Sequence, residues 1–279
     1  MKKTKIALVQ MESLVGERQL NLKKIENYIK ESYKNKVDII CFPEAAIDGY
    51  SKEIYSEKYD KISELQKIFN TWAIDYSITI LVGFIEGNST DKPYITHLIA
   101  TPDGKIDFYR KSHLGESEIE HFSSGNELPV FKTPTSTIGI QICWETHFPE
   151  ISRVMALKGV DIIFTPFASP VRTGDRRDIW LKYLTARAYD NTVFIAACNL
   201  IGINGKGTTF GGGLLALDPK GNLIEEDFNG KESILFVELD PDLINNIRNQ
   251  DNNSMGFRYY MNHRKPELYK EIGKLQIDY

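Results

Sequence analysis

Three polar residues in this chain each follow a short apolar run, and together they could form a nucleophilic site. Cys143 ends the apolar run in "GIQICWETHFPE", Glu44 comes directly after "IICFP", and Lys111 comes directly after "FYR". A nucleophilic cysteine needs a base for its proton and a cation or N–H donor for the negative charge that forms on attack. Taken singly, a glutamate or lysine at such a position is more often an ordinary exposed residue. The hypothesis therefore depends on the fold bringing the three residues together.

Among the three cysteines, Cys143 has the setting that favours reactivity. Pro149 could start a helix shortly after it, and a sulfur beside a helix start is expected to have a lowered thiol pKa. Cys41 and Cys198 lie within apolar, strand-like runs, so we predict that both are core residues. A buried structural role for Cys143 stays open on this observation alone.

Histidines offer a second source of a base. His113 and His147 are the candidates, although each is more typical of a polar loop residue. The five histidines do not recur at metal-ligand spacing, so we predict no metal site. A glycine-rich stretch, "NGKGTT", is similar to a phosphate-binding loop, but Lys206 is followed by Gly207 rather than Ser or Thr, which favours a plain turn.

Predicted strands and helices alternate along the chain and must position these residues. The chain has two similar halves, and each is predicted to contain a β-α-β-α unit followed by a β-hairpin. The apolar spacing predicts helices over 20–33, 59–72, 149–158 and 176–189. It predicts strands over 5–10, 37–42, 78–84, 94–100, 106–109, 137–142, 161–165, 192–199, 214–217, 223–225 and 234–239. Residues 111–129 read as a long loop, which in a compact domain is usually functional or disordered.

Composition narrows the class of protein. The 279 residues are 42% hydrophobic and 26% charged, with a net charge of −4, which is ordinary for a soluble domain. No basic stripe indicates nucleic acid, and no segment has the length of a membrane span or the pattern of a secretory signal. The three widely spaced cysteines do not suggest a disulfide framework. We therefore expect a cytoplasmic protein with one α/β domain over residues 1–279 and a polar C-terminal arm from about Asp251.

Together these stretches resemble the nitrilase superfamily of carbon-nitrogen hydrolases, on its amidase and carbamoylase side. "FPE", "YRKSHL" and "ICWETHFPE" come in that family's order and at its approximate spacing. Further landmarks extend the resemblance over nearly the whole chain: "KIALVQME", "LVGF", "TPDGK", "HFSSGNE", "RAYDNTVFIAACN", "LDPKGN" and "RKPELY".

The resemblance implies a four-layer α-β-β-α sandwich with two central mixed sheets and helices outside. It implies that Glu44, Lys111 and Cys143 form the catalytic set. A fourth glutamate usually stands seven positions before the glycine of an "F-x-P-G" loop, which gives Glu118 counted from Gly125. Here "SSG" replaces "x-P-G".

A small shift of that loop would substitute Glu116 or Glu120 for Glu118. The implied chemistry uses no metal or organic cofactor. It cleaves a non-peptide C–N bond through a thioester and releases ammonia or an amine.

The resemblance leaves the substrate open. A small amide or N-carbamoyl compound is favoured, a nitrile is the alternative, and a non-catalytic binding or assembly protein is the alternative of another class. The residues expected to line the substrate pocket are Trp144, His147, Phe167, Ala168 and Arg172. Arg172 could pair with a substrate carboxylate, although a solvated polar face around "RTGDRRD" is the favoured interpretation. The family resemblance also predicts a homodimer or a larger homo-oligomer.

Overall fold

The computed structural model describes residues 1–52, 62–88, 91–171, 175–249 and 258–274, and in them two six-stranded sheets form the centre of the molecule. The first sheet contains, in spatial order, β14 (Ser233–Leu239), β1 (Thr4–Gln10), β2 (Ile39–Cys41), β3 (Thr79–Glu86), β4 (Tyr94–Ala100) and β5 (Ile106–Arg110). The second contains β13 (Leu223–Asp227), β12 (Leu214–Leu217), β9 (Phe194–Asn199), β8 (Ile162–Phe167), β7 (Thr137–Ile140) and β6 (Phe131–Lys132). Strands β10 (Ile201–Ile203) and β11 (Thr209–Gly211) form a small antiparallel hairpin.

Both sheets are mixed in the same way. Strands β1, β2 and β3 run parallel to one another in the first sheet, and β7, β8 and β9 do so in the second. The flanking strands pair antiparallel. The central strands are apolar on both faces, as is usual for parallel strands that are covered on both sides.

Helices cover the outer face of each sheet. The first sheet packs against α1 (Arg18–Lys34) and α2 (Ile62–Asp75), and the second packs against α3 (Pro149–Leu157) and α4 (Arg176–Asn191). A short helix, α5 (Pro241–Arg248), follows β14. The inner faces of the two sheets share one apolar core. The four-layer α-β-β-α architecture predicted from the sequence is therefore confirmed.

Two of the cysteines lie in that inner core, as predicted. Cys41 in β2 and Cys198 in β9 are fully buried, and their sulfur atoms are 3.8 Å apart across the two sheets. Burial raises the pKa of the Cys41 thiol well above its usual value. Both side chains belong to the apolar cluster between the sheets.

The boundaries differ from the sequence prediction at several strand ends. The strand predicted over 137–142 ends at Ile140, and the one predicted over 192–199 begins at Phe194. The second difference arises because Thr192 adopts a left-handed conformation, with φ at 51°, that ends α4. The start of the helix predicted from residue 59 lies outside the described residues. No helix in the described ranges is both long enough and apolar enough to cross a membrane.

The polar C-terminal arm is partly packed against the same chain. Residues 258–274 contain two 3-10 turns, Tyr260–His263 and Pro266–Tyr269. Met261 is 8% exposed and joins the apolar cluster formed with α3 and α4. This part of the arm therefore covers an outer helix layer of its own chain.

Candidate active site

The candidate site lies where strands of both sheets end. Glu44 is the third residue after β2, and Cys143 is the third residue after β7. Lys111 directly follows β5, and its backbone N–H donates to the carbonyl of Ile95. The fold thus brings the three predicted residues together at the ends of strands from two sheets, which sequence order alone does not guarantee.

The turn that carries Glu44 fits closely against β3. Ala45 has φ at 54°, in the left-handed region that residues other than glycine rarely adopt. A Cβ atom at Gly83 would lie 2.5 Å from both the backbone N of Ala45 and the carbonyl O of Pro43. The glycine of "LVGF" is therefore required by the close approach of the Glu44 turn to the strand beneath it.

The turn that carries Cys143 is also held in a left-handed conformation. Cys143 has φ at 46° and begins a 3-10 turn, Cys143–His147. Such a conformation costs about 1–3 kcal/mol in a residue other than glycine. Two hydrogen bonds hold it: the N–H of Ile142 donates to Glu145 Oε2 at 2.6 Å, and Thr146 Oγ1 donates to the carbonyl of Cys143 at 2.7 Å.

A buried lysine bridges two buried carboxylates at the centre of the site. Lys111 Nζ donates to Glu44 Oε1 at 2.8 Å and to Glu118 Oε1 at 2.9 Å. The second oxygen of Glu44 accepts from the N–H of Ala168 at 2.9 Å, which ties it to the other sheet. An ammonium group has three N–H donors. One donor of Lys111 is therefore left over beyond the two carboxylates.

These contacts set different pKa values for the two carboxyls. Burial raises the pKa of Glu44 to about 7, and the ammonium of Lys111 limits the rise. Burial also opposes ionisation of Glu118, but Lys111 and the hydroxyl of Tyr50 outweigh it and hold the pKa of Glu118 below its usual value. Burial acts to lower the pKa of Lys111, yet the two carboxylates raise it above its ordinary value. The lysine stays charged, and Glu44 titrates near neutrality.

The expected lowering of the Cys143 thiol pKa is wrong. Burial and the negative charge of Glu44 raise that pKa to about 12, and Lys111 offsets only part of the rise. The helix α3 begins at Pro149, a full turn beyond the cysteine, so its N-terminus does not lie beside the sulfur. Cys143 therefore rests as a neutral thiol, 3.6 Å from Ser169 Oγ.

The three candidates for the fourth glutamate differ in burial. Glu118 is 4% exposed, whereas Glu116 and Glu120 are exposed. It ends the 3-10 turn Glu116–Glu118, and its Oε2 accepts from the N–H of Gly115 at 2.6 Å. Gly125 lies against the backbone of Arg110, and a Cβ atom at this position would be 2.4 Å from the carbonyl O of Arg110. The last position of "SSG" therefore requires a glycine, as the last position of "x-P-G" would.

Three of the four predicted catalytic residues border one cavity of about 350 Å³, and the fourth, Glu44, reaches it through its contact with Lys111. Lys111, Glu118 and Cys143 line it, as do two of the predicted pocket residues, Trp144 and Ala168. A cavity of this size is at the lower end of the range for small-molecule sites.

Two other predicted pocket residues, Phe167 and His147, do not line this cavity. Phe167 is 1% exposed and packs against Trp180 at 4.7 Å between ring centroids, because its side chain points from β8 into the layer beneath α4. His147 packs between Trp144 and Tyr183, on the outer side of the turn. Arg172 lies outside the described residues.

The histidines considered as bases do not contact the sulfur. His113 is exposed and its ring packs on Phe148 at 4.4 Å. Burial and the nearby charges of Arg187 and Arg176 lower the pKa of His147. Within the described ranges, no three His, Cys, Asp or Glu side chains cluster as a metal site would require.

Sequence reasoning missed two polar residues that support the site. Tyr50 donates its hydroxyl to Glu118 Oε1 at 2.7 Å. Glu145, fully buried, accepts from Tyr109, Ser112 and Ile142 and so joins the loop after β5 to the turn after β7. Both stand close to predicted residues in the chain, but no spacing rule distinguishes them from ordinary surface residues.

Comparisons with known proteins agree with this geometry. The family model for carbon-nitrogen hydrolases matches residues 5–249. A probable nitrilase of Schizosaccharomyces pombe is 29% identical, with 97% of this chain and 98% of that protein covered. The 2-oxoglutaramate amidase of Bacillus subtilis is 31% identical over 84% of this chain and 90% of its own length.

A solved structure agrees as well. Saccharomyces cerevisiae Nit3, described as a member of branch 10 of the nitrilase superfamily, superposes with a TM-score of 0.79 at 26% identity, covering 92% of this chain and 97% of that one. The family model matches most of the chain, and the fold is shared with this structure. The chain belongs to the carbon-nitrogen hydrolases of the nitrilase superfamily, on the amidase-like side, and is an enzyme that acts on C–N bonds other than peptide bonds.

Proposed function

We propose that the protein hydrolyses a small amide or N-carbamoyl compound through a thioester on Cys143. The observation that carries the proposal is the buried ammonium of Lys111, held between Glu44 and Glu118 in the cavity that Cys143 also lines. This arrangement combines a nucleophile, a carboxyl that titrates near neutrality and a fixed positive charge.

The first step forms a tetrahedral adduct. As the Cys143 sulfur attacks the carbonyl carbon of the substrate, its proton passes to Glu44, so that no free thiolate has to form beforehand. A thiol with a pKa of about 12 supports this concerted route over a resting thiolate. The carbonyl π electrons move to oxygen, and the oxyanion accepts the remaining N–H of Lys111 and the backbone N–H of Trp144.

The second step expels nitrogen. The oxyanion re-forms the carbonyl, the C–N bond breaks, and Glu44 gives its proton to the departing ammonia or amine. The acyl group remains on the sulfur as a thioester. Glu44, now a carboxylate, takes a proton from water while the water oxygen attacks the thioester carbon, and it returns that proton to the sulfur as the C–S bond breaks. The acid product then leaves.

Glu118 has a separate role from Glu44 in this scheme. Its pKa is held below the usual value, so it remains a carboxylate throughout the pH range in which Glu44 exchanges its proton. A permanent negative charge at 2.9 Å fixes the position of the Lys111 ammonium while Glu44 is protonated. We therefore assign Glu118 to positioning Lys111 and Glu44 to proton transfer.

The test is ammonia release from small amides, N-carbamoyl compounds and nitriles. We expect release from an amide or carbamoyl compound by wild type and none above background by Cys143→Ala. Cys198→Ala is the matched control, because it removes a buried thiol that does not line the cavity and should retain ammonia release while folded. Release from nitriles alone would move the protein to the nitrilase alternative.

If folded wild-type protein released no ammonia from any compound of the panel, the result would contradict the proposal and support the non-catalytic alternative. Thiol labelling then separates a working site from an inert one. Cys143 is half-buried and lines the cavity, while Cys41 and Cys198 are fully buried, so iodoacetamide should modify Cys143 first. Equally slow labelling of all three thiols would favour the inert site.

We also propose that the protein assembles at least as a homodimer. Large apolar side chains stay exposed on the α3 and α4 layer and on the C-terminal arm, including Leu157 at 52%, Leu268 at 67% and Ile272 at 60%. Where such side chains form a contiguous patch, they favour a protein contact. Light scattering on a size-exclusion column should give twice the mass of one chain or more, and a monodisperse monomer would contradict the assembly.

A further inference from the structure

The cavity that contains Cys143 has two lysines that the mechanism does not use. Lys52 and Lys206 both line it, together with Lys111 of the central cluster. Among the described lining residues the only carboxyl is that of Glu118, which is already paired with Lys111. In the described part of the chain, neither Lys52 nor Lys206 forms an ion pair with a carboxylate, so their two positive charges are not compensated locally.

A buried asparagine fixes the turn that carries Lys206. Asn204 is 2% exposed, and its Oδ1 accepts from the N–H groups of Lys206 at 2.8 Å and Thr208 at 3.0 Å. Its backbone N–H donates to the carbonyl of Thr208, which closes the turn between β10 and β11. Lys206 therefore starts from a defined backbone position at the cavity instead of a loose surface loop.

The same asparagine connects this turn to the segment that carries Lys52. Asn204 Nδ2 donates to the carbonyl of Tyr50 at 2.9 Å, two residues before Lys52. The hydroxyl of Tyr50 in turn donates to Glu118 in the central cluster. These connected hydrogen bonds thus fix the positions of the two backbone segments that carry Lys52 and Lys206 relative to the reacting groups.

We infer that Lys52 and Lys206 form a subsite for a carboxylate at the end of the substrate away from the reacting amide. The inference rests on the proposed function and narrows its substrate class to amides or N-carbamoyl derivatives of short organic acids, such as the monoamide of a dicarboxylic acid. The neutral amide reaches Cys143, and the carboxylate pairs with the two ammonium groups. A cavity of about 350 Å³ suits a molecule of this size and excludes a long chain.

The charge balance of the cavity favours an anion over a cation. Glu44 and Glu118 are both in contact with Lys111, so the central cluster offers no unpaired carboxylate to a cationic substrate. Among the described residues of the cluster and the cavity lining, the three ammonium groups of Lys52, Lys111 and Lys206 outnumber the two carboxylates of Glu44 and Glu118, so the net charge is positive. Ammonium groups act as point charges toward carboxylates, and pairing within a partly closed cavity is screened less than pairing at an open surface.

The first experiment compares three amides of equal chain length: glutaric acid monoamide, neutral valeramide and 5-aminovaleramide, which is cationic. Wild type should have the highest kcat/KM for the monoamide and the lowest for the cationic amide. Lys52→Met/Lys206→Met should reduce the ratio of kcat/KM between the monoamide and valeramide by about tenfold or more, since each charged hydrogen bond is lost. Lys132→Met, an exposed lysine on β6, is the matched control and should leave the ratio unchanged.

A ratio that the double substitution leaves unchanged would overturn the subsite while the hydrolysis of valeramide keeps the proposed function intact. Hydrolysis of none of the three amides would instead count against the proposed function, and a binding measurement then decides on the subsite. Calorimetry with glutarate, which contains no C–N bond, should show binding to wild type and about tenfold weaker binding to the double variant. Equal affinity for the two proteins, or no binding to wild type, would overturn the subsite independently of catalysis.

Discussion

Two buried glutamates lie near the nucleophile, and their surroundings differ in kind. Glu44 is 1% exposed and has one cationic and one neutral donor, the ammonium of Lys111 and the N–H of Ala168. Glu145 is fully buried and accepts only from neutral groups: the hydroxyls of Tyr109 and Ser112 and the backbone N–H groups of Ser112, His113 and Ile142.

The difference separates the carboxyl that we propose for proton transfer from one that holds structure. Three of the donors to Glu145 are backbone N–H groups, so this carboxylate joins the loop after β5 to the turn that carries Cys143. Glu44 lies beside a cation and has fewer donors, and its pKa of about 7 allows both protonation states near neutrality. Burial alone therefore does not distinguish the proposed acid-base carboxyl from the structural one, whereas the type of donor does.

The largest effect is expected from Glu44→Gln. Glutamine keeps the shape of the side chain and its contact with Lys111 but cannot accept the thiol proton or return it to the leaving group. We expect kcat/KM to fall by about 10²–10⁴-fold, the usual range for loss of a general acid-base group. Steady-state ammonia release measures the loss.

Asp161→Asn is a matched control for that substitution, because Asp161 is another largely buried carboxylate paired with a cation, Arg248, far from the cavity. It should lower stability and leave kcat/KM near the wild-type value. If Glu44→Gln retained most of its activity, Glu44 would be a structural group like Glu145, and the comparison would fail.

Glu145→Gln should act mainly on stability. The amide NH₂ group of glutamine has to face either the Ser112 side or the Ile142 side of the pocket, and both sides present donors. A buried donor left without an acceptor costs about 1–3 kcal/mol of the free energy of unfolding. Urea unfolding measures that loss, and kcat should fall with it because the Cys143 turn loses a hydrogen bond.

Glu150→Gln provides the reference for that variant, since Glu150 is exposed in the first turn of α3. A surface change of this kind usually alters the free energy of unfolding by less than about 0.5 kcal/mol. A Glu145→Gln protein as stable as the Glu150→Gln protein would show that the network around Glu145 contributes little.

The amino-acid sequence predicts the residues at strand ends but not the hydrogen-bond network that supports them. Strand ends after apolar runs located all three residues: Glu44 and Cys143 follow the parallel strands β2 and β7, and Lys111 follows the antiparallel edge strand β5. Glu145 was missed because its partners come from the loop after β5, more than thirty residues earlier in the chain. The predicted lowering of the Cys143 thiol pKa was wrong because α3, which does begin at Pro149 as predicted, starts six residues beyond the sulfur, and because burial, which raises the pKa, depends on packing between two sheets.

The pKa of Glu44 predicts the acid side of the pH profile. Glu44 must be ionised to take the thiol proton, so kcat/KM should rise about tenfold per pH unit below pH 7 and level off above it. The raised pKa of Glu44 has the opposite effect on stability, which should fall as pH rises. Because the pKa in the folded state lies above the usual value, the native state holds this proton more tightly than the unfolded state does. The contribution of Glu44 to stability therefore declines as pH rises from 4.5 to about 7. A flat kcat/KM profile down to about pH 5 would contradict the assignment of Glu44 as the base.

Tyr50→Phe should have the smallest effect, because it removes one of several contacts to a carboxylate that does not exchange protons. The hydroxyl donates to Glu118 Oε1 at 2.7 Å, and Glu118 keeps Lys111 and the N–H of Gly115 as partners. We expect kcat/KM to fall by about three- to tenfold, the equivalent of one neutral hydrogen bond, with the pH profile below 7 unchanged since Glu44 retains its own donors. Tyr33→Phe, at a tyrosine that is 55% exposed, is the reference and should match wild type. A shift of the acid limb in Tyr50→Phe would mean that Glu118 shares the titration with Glu44, and the two carboxylates would then act as one coupled pair rather than as a base and a fixed charge.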